Sequence, residues 1–361
     1  MSFLRTALYS VIFCLLGGAA GAAASMLPLP LPYLLGPLTL TAVLSIAFPR
    51  TIPAGYSFPQ EYRTLFVSII GILIGTQVRP ELLAEAPLML ISLAGVALFV
   101  PLAQAWNYWV FRRLGGYDPA TAFYSGAPGG LIESITMGEA AGANISLLIT
   151  QQFLRIITVI ALVPLGLSLW HGEPVGSAAG AGTTADAIPL LAVPIVIATA
   201  AAGLFLGRLI RLPAWQLTGA MLLSAGASLA GMPLAVPGWL VALSQVIVGT
   251  ALGLRFAGIS RSMMLRGIGL SFASVVGMLS LGAGFALALR GLTGQDFEVL
   301  LITFAPGGIN EMALIALSLH ANPAFVTIHH IFRITITVLG MGAFARRLKR
   351  TTSEAQPKGP T

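Results

Sequence analysis

Two stretches decide how this chain is read: Ala127-Pro128-Gly129-Gly130-Leu131-Ile132-Glu133 and Ala305-Pro306-Gly307-Gly308-Ile309-Asn310-Glu311. The second follows the first at an offset of 178 residues, and the same offset pairs Asn144 with Asn322 and Arg155 with Arg333. It also pairs Gly71 and Gly75 with Gly249 and Gly253, while Pro32 and Gly36 correspond to Pro213 and Gly219 with a small shift. A single shared tetrapeptide in an apolar chain carries little weight. Two glutamates and two arginines in one register, inside apolar segments, indicate a duplicated unit of the kind common in secondary transporters.

The composition around these stretches narrows the class. Of 361 residues, 57% are hydrophobic and 9% charged, and the mean hydropathy is +0.91. A soluble domain carries about 25% charged residues. The chain therefore reads as an all-α polytopic membrane protein whose first partner is the lipid bilayer, and a soluble enzyme, a nucleic-acid-binding domain and a disordered chain are excluded. Cys14 is the single cysteine, so neither an intramolecular disulfide nor a cysteine metal cluster is expected.

Segments of about 20 apolar residues suit a bilayer core about 30 Å thick. Twelve such segments are expected, at 4–24, 29–48, 64–83, 86–111, 119–142, 145–170, 187–208, 212–231, 236–255, 264–289, 297–319 and 325–345. They fall into a first membrane repeat, 1–170, a small-residue linker, 171–186, a second repeat, 187–345, and a basic tail, 346–361, expected to be disordered in the cytoplasm. The first segment has the look of a signal peptide, with Arg5 before an apolar run and small residues at 19–25. Retained as a helix, it gives both halves the same pattern.

Lysine and arginine concentrate on the cytoplasmic side of membrane proteins. If all twelve segments cross, eleven basic residues lie inside and six outside. If the two Pro-Gly-Gly segments enter and leave on one side, fifteen lie inside and two, Arg79 and Arg290, outside. The second arrangement fits better. It gives each repeat five transmembrane helices plus one re-entrant or broken Pro-Gly-Gly helix, and the odd number of crossings inverts the second repeat. Both termini are then cytoplasmic. The alternative keeps broken helices that cross and makes the repeats parallel.

Pro128-Gly129-Gly130 and Pro306-Gly307-Gly308 should each break a helix at membrane depth, which is tolerated only beside protein or water. Each break starts a new half-helix, whose free N–H groups and positive dipole end favour an anion. Carbonyls of the preceding half could instead hold a cation. Glu133 and Glu311 fall in the first turns of the new half-helices. They read either as caps or as groups that couple transport to protons or sodium. Asn310 has no polar counterpart in the first copy, which places Ile132 there, so the halves should differ chemically. Arg155 and Arg333 read either as buried partners of Glu133 and Glu311 or as a clamp on a substrate carboxylate. His329, four residues before Arg333 on one helix face, reads as a proton-coupling group or a packing histidine. No metal site, cofactor or catalytic residue is expected, since the histidines lack cysteine or carboxylate partners in sequence. Gly71-x3-Gly75 and Gly249-x3-Gly253 fit close packing of repeat on repeat or subunit on subunit, and a homo-oligomer stays open.

With the duplicated Pro-Gly-Gly-x2-Glu element, the glycine-paired helix before it and the arginine helix after it, the chain resembles the AbrB family of bacterial inner-membrane proteins over about residues 5–345. The soluble DNA-binding AbrB is a different protein. The second copy matches the family pattern better, and the first departs from it at Leu131-Ile132-Glu133-Ser134. The resemblance implies a duplicated domain in the inner membrane. Members carry labels such as ammonia monooxygenase or regulator of expression. The residues here lack the histidine and carboxylate cluster that copper or iron would need, so an enzyme is not expected. In plan the glycine-tipped hairpins are similar to citrate- and glutamate-type transporters. The expected function is alternating-access transport of a small, anionic organic solute, with a channel or a regulatory membrane protein as rivals.

Overall fold

The computed structural model describes residues 3–80, 86–172, 175, 192–232, 234–259 and 261–354. Fourteen α-helices and no strand are found among the described residues. In the first half they are α1 Phe3–Ser25, α2 Pro32–Ala47, α3 Gln60–Thr76, α4 Ala86–Trp109, α5 Pro119–Ser125, α6 Leu131–Ala140 and α7 Ile145–His171. In the second half they are α8 Ala192–Leu209, α9 Trp215–Leu229, α10 Gly238–Leu254, α11 Arg261–Thr293, α12 Phe297–Phe304, α13 Ile309–Ser318 and α14 Pro323–Glu354. Six helical stretches, lying in α1, α4, α7, α8, α11 and α14, are long and apolar enough to cross a bilayer, which marks a multi-pass membrane protein.

The two Pro-Gly-Gly segments, 119–142 and 297–319, are each two helices, broken where the sequence places the Pro-Gly-Gly. The break after Ser125 leads to α6 at Leu131, and the break after Phe304 leads to α13 at Ile309. Proline removes a donor and glycine loosens the backbone, so the helix ends where both fall together. Helix α5 begins with Asp118 as its cap, whose carboxylate accepts from the Thr121 N–H at 2.9 Å, and with Pro119 at the first helical position. Asn144 caps α7 in the same way, accepting from the Leu147 N–H at 3.1 Å. Its own N–H donates to Thr121 Oγ1 at 2.7 Å. The start of α7 therefore lies beside the start of α5. A Cβ on Gly138 of α6 would stand 3.3 Å from Tyr124 of α5, so the two helices pack on each other.

Four expected spans have fewer than 18 residues: α2, α3, α9 and α10 have 16, 17, 15 and 17. They are the interior helices of a first group formed with α1 and α8. In that group α2 packs on α10 and α9 on α3, while α3 also meets α10. The glycine pairs make this possible. A Cβ on Gly71 would collide with the Leu217 carbonyl oxygen, and one on Gly249 with that of Leu34. Gly75 and Gly253 are equally close to Met221 and Leu38. The small-residue faces thus join first half to second.

A second group holds α4, α7, α11, α14 and the helix pairs α5–α6 and α12–α13. Here α4 packs on α11, α7 on α11, α14 on α4, and each arginine helix on the helix pair before it. Contacts between the groups are sparse and centre on α3 against α13 and α14. The linker falls largely outside the described residues. The tail was expected to leave the helix at Arg346, but α14 continues to Glu354. The sequence Arg346-Arg347-Leu348-Lys349-Arg350 is made of strong helix formers, so nothing stops the helix at the end of its apolar stretch.

Candidate functional site

The break between α5 and α6 exposes a row of carbonyls that have no partner within their helix. Polar side chains from neighbouring helices bind them one by one. Gln104 of α4 donates to the Phe123 carbonyl at 2.8 Å, and Asn107 to that of Gly126 at 2.7 Å. Gln152 of α7 donates to the Tyr124 carbonyl at 2.9 Å and, more weakly, to Ser125 at 3.3 Å. Arg155, one turn further along α7, donates from Nη1 to the Ala127 carbonyl. The break between α12 and α13 is served by fewer groups. His330 Nε2 bonds the Ile302 carbonyl at 2.9 Å, Arg333 Nη1 donates to Ala305, and Arg333 Nη2 donates to Gly307 at 2.9 Å.

Both arginines are buried, Arg155 at 6% and Arg333 at 2% exposure. Each supplies positive charge at the negative end of a short helix, the favourable sense for the helix dipole. Neither pairs with its glutamate within 4 Å, because the carbonyls at the breaks take the guanidinium donors instead. Arg155 and Arg333 also lie within electrostatic range of each other. The Nε of each is buried without a hydrogen bond.

The two tips meet around α14. Gly129 sits against Ile334, the residue after Arg333, with a would-be Cβ 3.3 Å from its Cα. Gly130 has φ 67°, a conformation that favours glycine, and faces Val338 and Met341. Pro128 and Pro306 sit within the two breaks. Gly308 has φ −74° and ψ 147°, which any residue can adopt. What demands glycine there is the Glu311 carboxylate, which bends back over the start of α13 so far that a Cβ at 308 would collide with Oε2. The Glu311 backbone N–H donates to this carboxylate. Glu311 is buried at 4% exposure and Asn310 at 8%. Glu133 is exposed, although its Oε2 also turns towards its own tip, 3.3 Å from a Cβ placed on Gly130.

His329 is fully buried and satisfied at both ring nitrogens. Nδ1 lies 2.8 Å from the Phe325 carbonyl and Nε2 2.7 Å from Ser92 Oγ. A neutral ring that donates from Nδ1 and accepts at Nε2 meets both partners. That is the packing geometry rather than an open proton relay.

Several residues at the site were not expected from the sequence. Gln104 and Asn107 are three apart in an otherwise apolar helix, a spacing that puts both on one face and could have marked them. Ser274 Oγ donates to Asn107 Oδ1 at 2.7 Å and ties that face to α11. Arg63 of α3, in the other helix group, lies within electrostatic range of Glu311. It has no counterpart at the repeat offset, where Val241 stands, so a search by register passes over it. Among the described residues no group of three or more His, Cys, Asp or Glu side chains is gathered as a metal would require.

The family described as transition state regulatory protein AbrB matches residues 47–349, which include both tips and both arginines. The uncharacterized protein YhjN of Bacillus subtilis (strain 168) is 25% identical over 96% of this chain and 94% of its own length. A proposed regulator, AbrB, of Escherichia coli (strain K12) is 24% identical over 88% of this chain and 90% of its own. The chain belongs to the AbrB family.

Proposed function

We propose that this protein is a secondary transporter of a small organic anion, working by alternating access and coupled to protons or sodium. One observation carries the reading. The carbonyls at both tips, which would be the ligands of a cation, are already held by Arg155 and Arg333. What faces the gap is positive: two buried guanidinium groups near each other and the N-terminal ends of α6 and α13. A carboxylate entering there relieves the repulsion between the arginines and can use their remaining donors. Glu311 is the coupling group in this reading, since its carboxylate occupies the start of α13 until a proton, an ion or the solute displaces it. Glu133 is the secondary candidate, and His329, bonded at both ring nitrogens, could take part only if the Ser92 or Phe325 bond opened.

The grouping of helices supports a moving-domain mechanism. The group with the tips can slide against the group built on the glycine pairs, because few contacts join them. The duplication is supported by mirrored packing: α2 on α10 answers α9 on α3, and α7 on α11 answers α14 on α4. In the inverted arrangement the α5–α6 hairpin dips in from the cytoplasm and α12–α13 from the opposite side. A cysteine placed within 171–186 should then react with an impermeant thiol reagent from outside the cell, and reaction from the cytoplasm alone overturns the inversion. A regulatory effect, as named for the Escherichia coli relative, would follow indirectly from a change in solute level.

The purified protein in lipid vesicles is expected to take up small mono- and dicarboxylates with saturable kinetics, and faster under an imposed proton or sodium gradient. Uptake proportional to concentration and indifferent to gradients would favour a channel. No uptake across a broad carboxylate panel would remove the anion reading.

A further inference from the structure

A second electropositive site lies where α3 begins and α10 ends. A cavity of about 350 Å³ is lined there by Tyr56, Ser57, Gln60, Arg63 and Arg255, with apolar walls from Leu254 and its neighbours. Among the described residues no acidic side chain lines it. The N-terminal end of α3 and the C-terminal end of α10 both border the cavity, and their dipole charges, about +0.5 and −0.5, offset each other. The field is therefore set by the two guanidinium groups. Arg255 is held in place: Nη2 donates to Gln60 Oε1 at 3.3 Å, and its guanidinium carbon lies 5.3 Å from the centre of the Phe153 ring. Arg63 makes no hydrogen bond among the described residues, and its Nε is buried without a partner. It feels Arg255 on one side and Glu311 on the other. Two arginines facing one cavity, one of them without a hydrogen bond, present donors to which the oxygens of a single anion can bind.

We propose that this cavity is an anion-binding site for a carboxylate or phosphate group, held between Arg63 and Arg255. Arg63 lines the cavity and is within electrostatic range of Glu311, which makes the cavity an antechamber of the second tip, and that role rests on the transport reading. The binding site itself does not, because it needs no movement of solute. Arg63 then divides its charge between the bound anion and Glu311, so an arriving anion weakens the hold of α3 on α13. A free solute and an anionic lipid headgroup carry the same chemistry, and either can fill the cavity.

The test uses the full chain with Cys14→Ser and Ser57→Cys, in vesicles of phosphatidylcholine. Ser57 is exposed at the cavity wall, so a cysteine there samples the local potential. Rates are measured for an anionic and a cationic methanethiosulfonate reagent and normalised to a free thiol. The anionic reagent should be favoured about tenfold, the lower range for focusing by a charged cleft. Millimolar phosphate or succinate should slow it at least about twofold, as expected when a probe competes near its dissociation constant. Arg255→Gln should bring the normalised ratio close to one, while Arg255→Lys keeps it. Slowing by phosphatidylglycerol in the vesicles, without free anion, identifies a headgroup as occupant, and slowing by free anions alone identifies a soluble one. A ratio near one in the parent protein, or no slowing by phosphate, succinate or phosphatidylglycerol, overturns the site. Because labelling needs no flux, a protein that binds here and transports nothing would fail the transport reading and leave this site standing.

Discussion

Arg333→Met is expected to abolish saturable carboxylate uptake while leaving a folded protein of lower thermal stability. The side chain is 2% exposed and donates to two carbonyls, those of Ala305 and Gly307. Hydrogen bonds to charged groups contribute about 1.5–3 kcal/mol each, and a buried carbonyl left without a donor costs a further 1–3 kcal/mol. A simple sum would unfold many proteins. Two terms oppose it: methionine fills much of the space, and removal of one guanidinium relieves repulsion from Arg155. We expect a net loss of about 2–4 kcal/mol, in the range of buried-network mutations. Arg155→Met should be milder in stability, because a single bond, to Ala127, is lost. It should be as severe in uptake, because the solute needs both cations. Thermal unfolding in detergent measures the first difference and vesicle uptake the second. Normal uptake by folded Arg333→Met would show that the arginines only brace the tips, and the site would have to be sought elsewhere.

That pair of variants also marks where sequence reasoning stopped. The arginines were legible as important because an unpaired charge in an apolar helix needs a reason. Their partners were not. A glutamate 22 residues away in both copies is a natural candidate for pairing, yet the backbone carbonyls at a helix break are invisible in a sequence and compete more effectively. The breaks themselves could be read from Pro-Gly-Gly, and most of the remaining helix boundaries from the apolar runs. The division into two helix groups could not. It depends on which faces meet far apart in the chain, as when Gly71 meets Leu217 and Gly249 meets Leu34. The glycine spacing announced close packing without naming the partner. Arg63 falls just before the expected span 64–83 and so reads in sequence as a loop charge, which its place at the start of α3 permits. Nothing in one dimension brings it to Glu311.

The symmetry of the two tips is likewise deeper in sequence than in structure, and Gly308→Ala is the variant that exposes this. Ala305-Pro-Gly-Gly repeats Ala127-Pro-Gly-Gly, but the last glycine of each is required for a different reason. Gly130 holds a left-handed conformation, φ 67°, which an L residue adopts at a cost of about 1–2 kcal/mol. Gly308 is extended at φ −74°, so alanine fits its backbone without strain. Its Cβ would instead strike the Glu311 carboxylate and drive it off the start of α13. The expected result is a split between stability and function. Gly308→Ala should change thermal stability by no more than about 1 kcal/mol, since a displaced cap is the main loss. It should nevertheless lose coupled uptake to the same extent as Glu311→Gln, at least about tenfold, as a coupling group moved out of register would. Gly130→Ala should do the reverse, lowering stability without altering the dependence of uptake on the ion gradient. The measurement is gradient-driven uptake beside thermal unfolding for the three variants. If Gly308→Ala transports like the parent while Glu311→Gln does not, the glutamate works from another position than the one it holds over α13. If all three transport normally, Glu311 is a cap and the coupling ion must be read elsewhere. Agreement between Gly308→Ala and Glu311→Gln, with Gly130→Ala apart from both, would tie coupling to one carboxylate at one of two tips that the sequence writes alike.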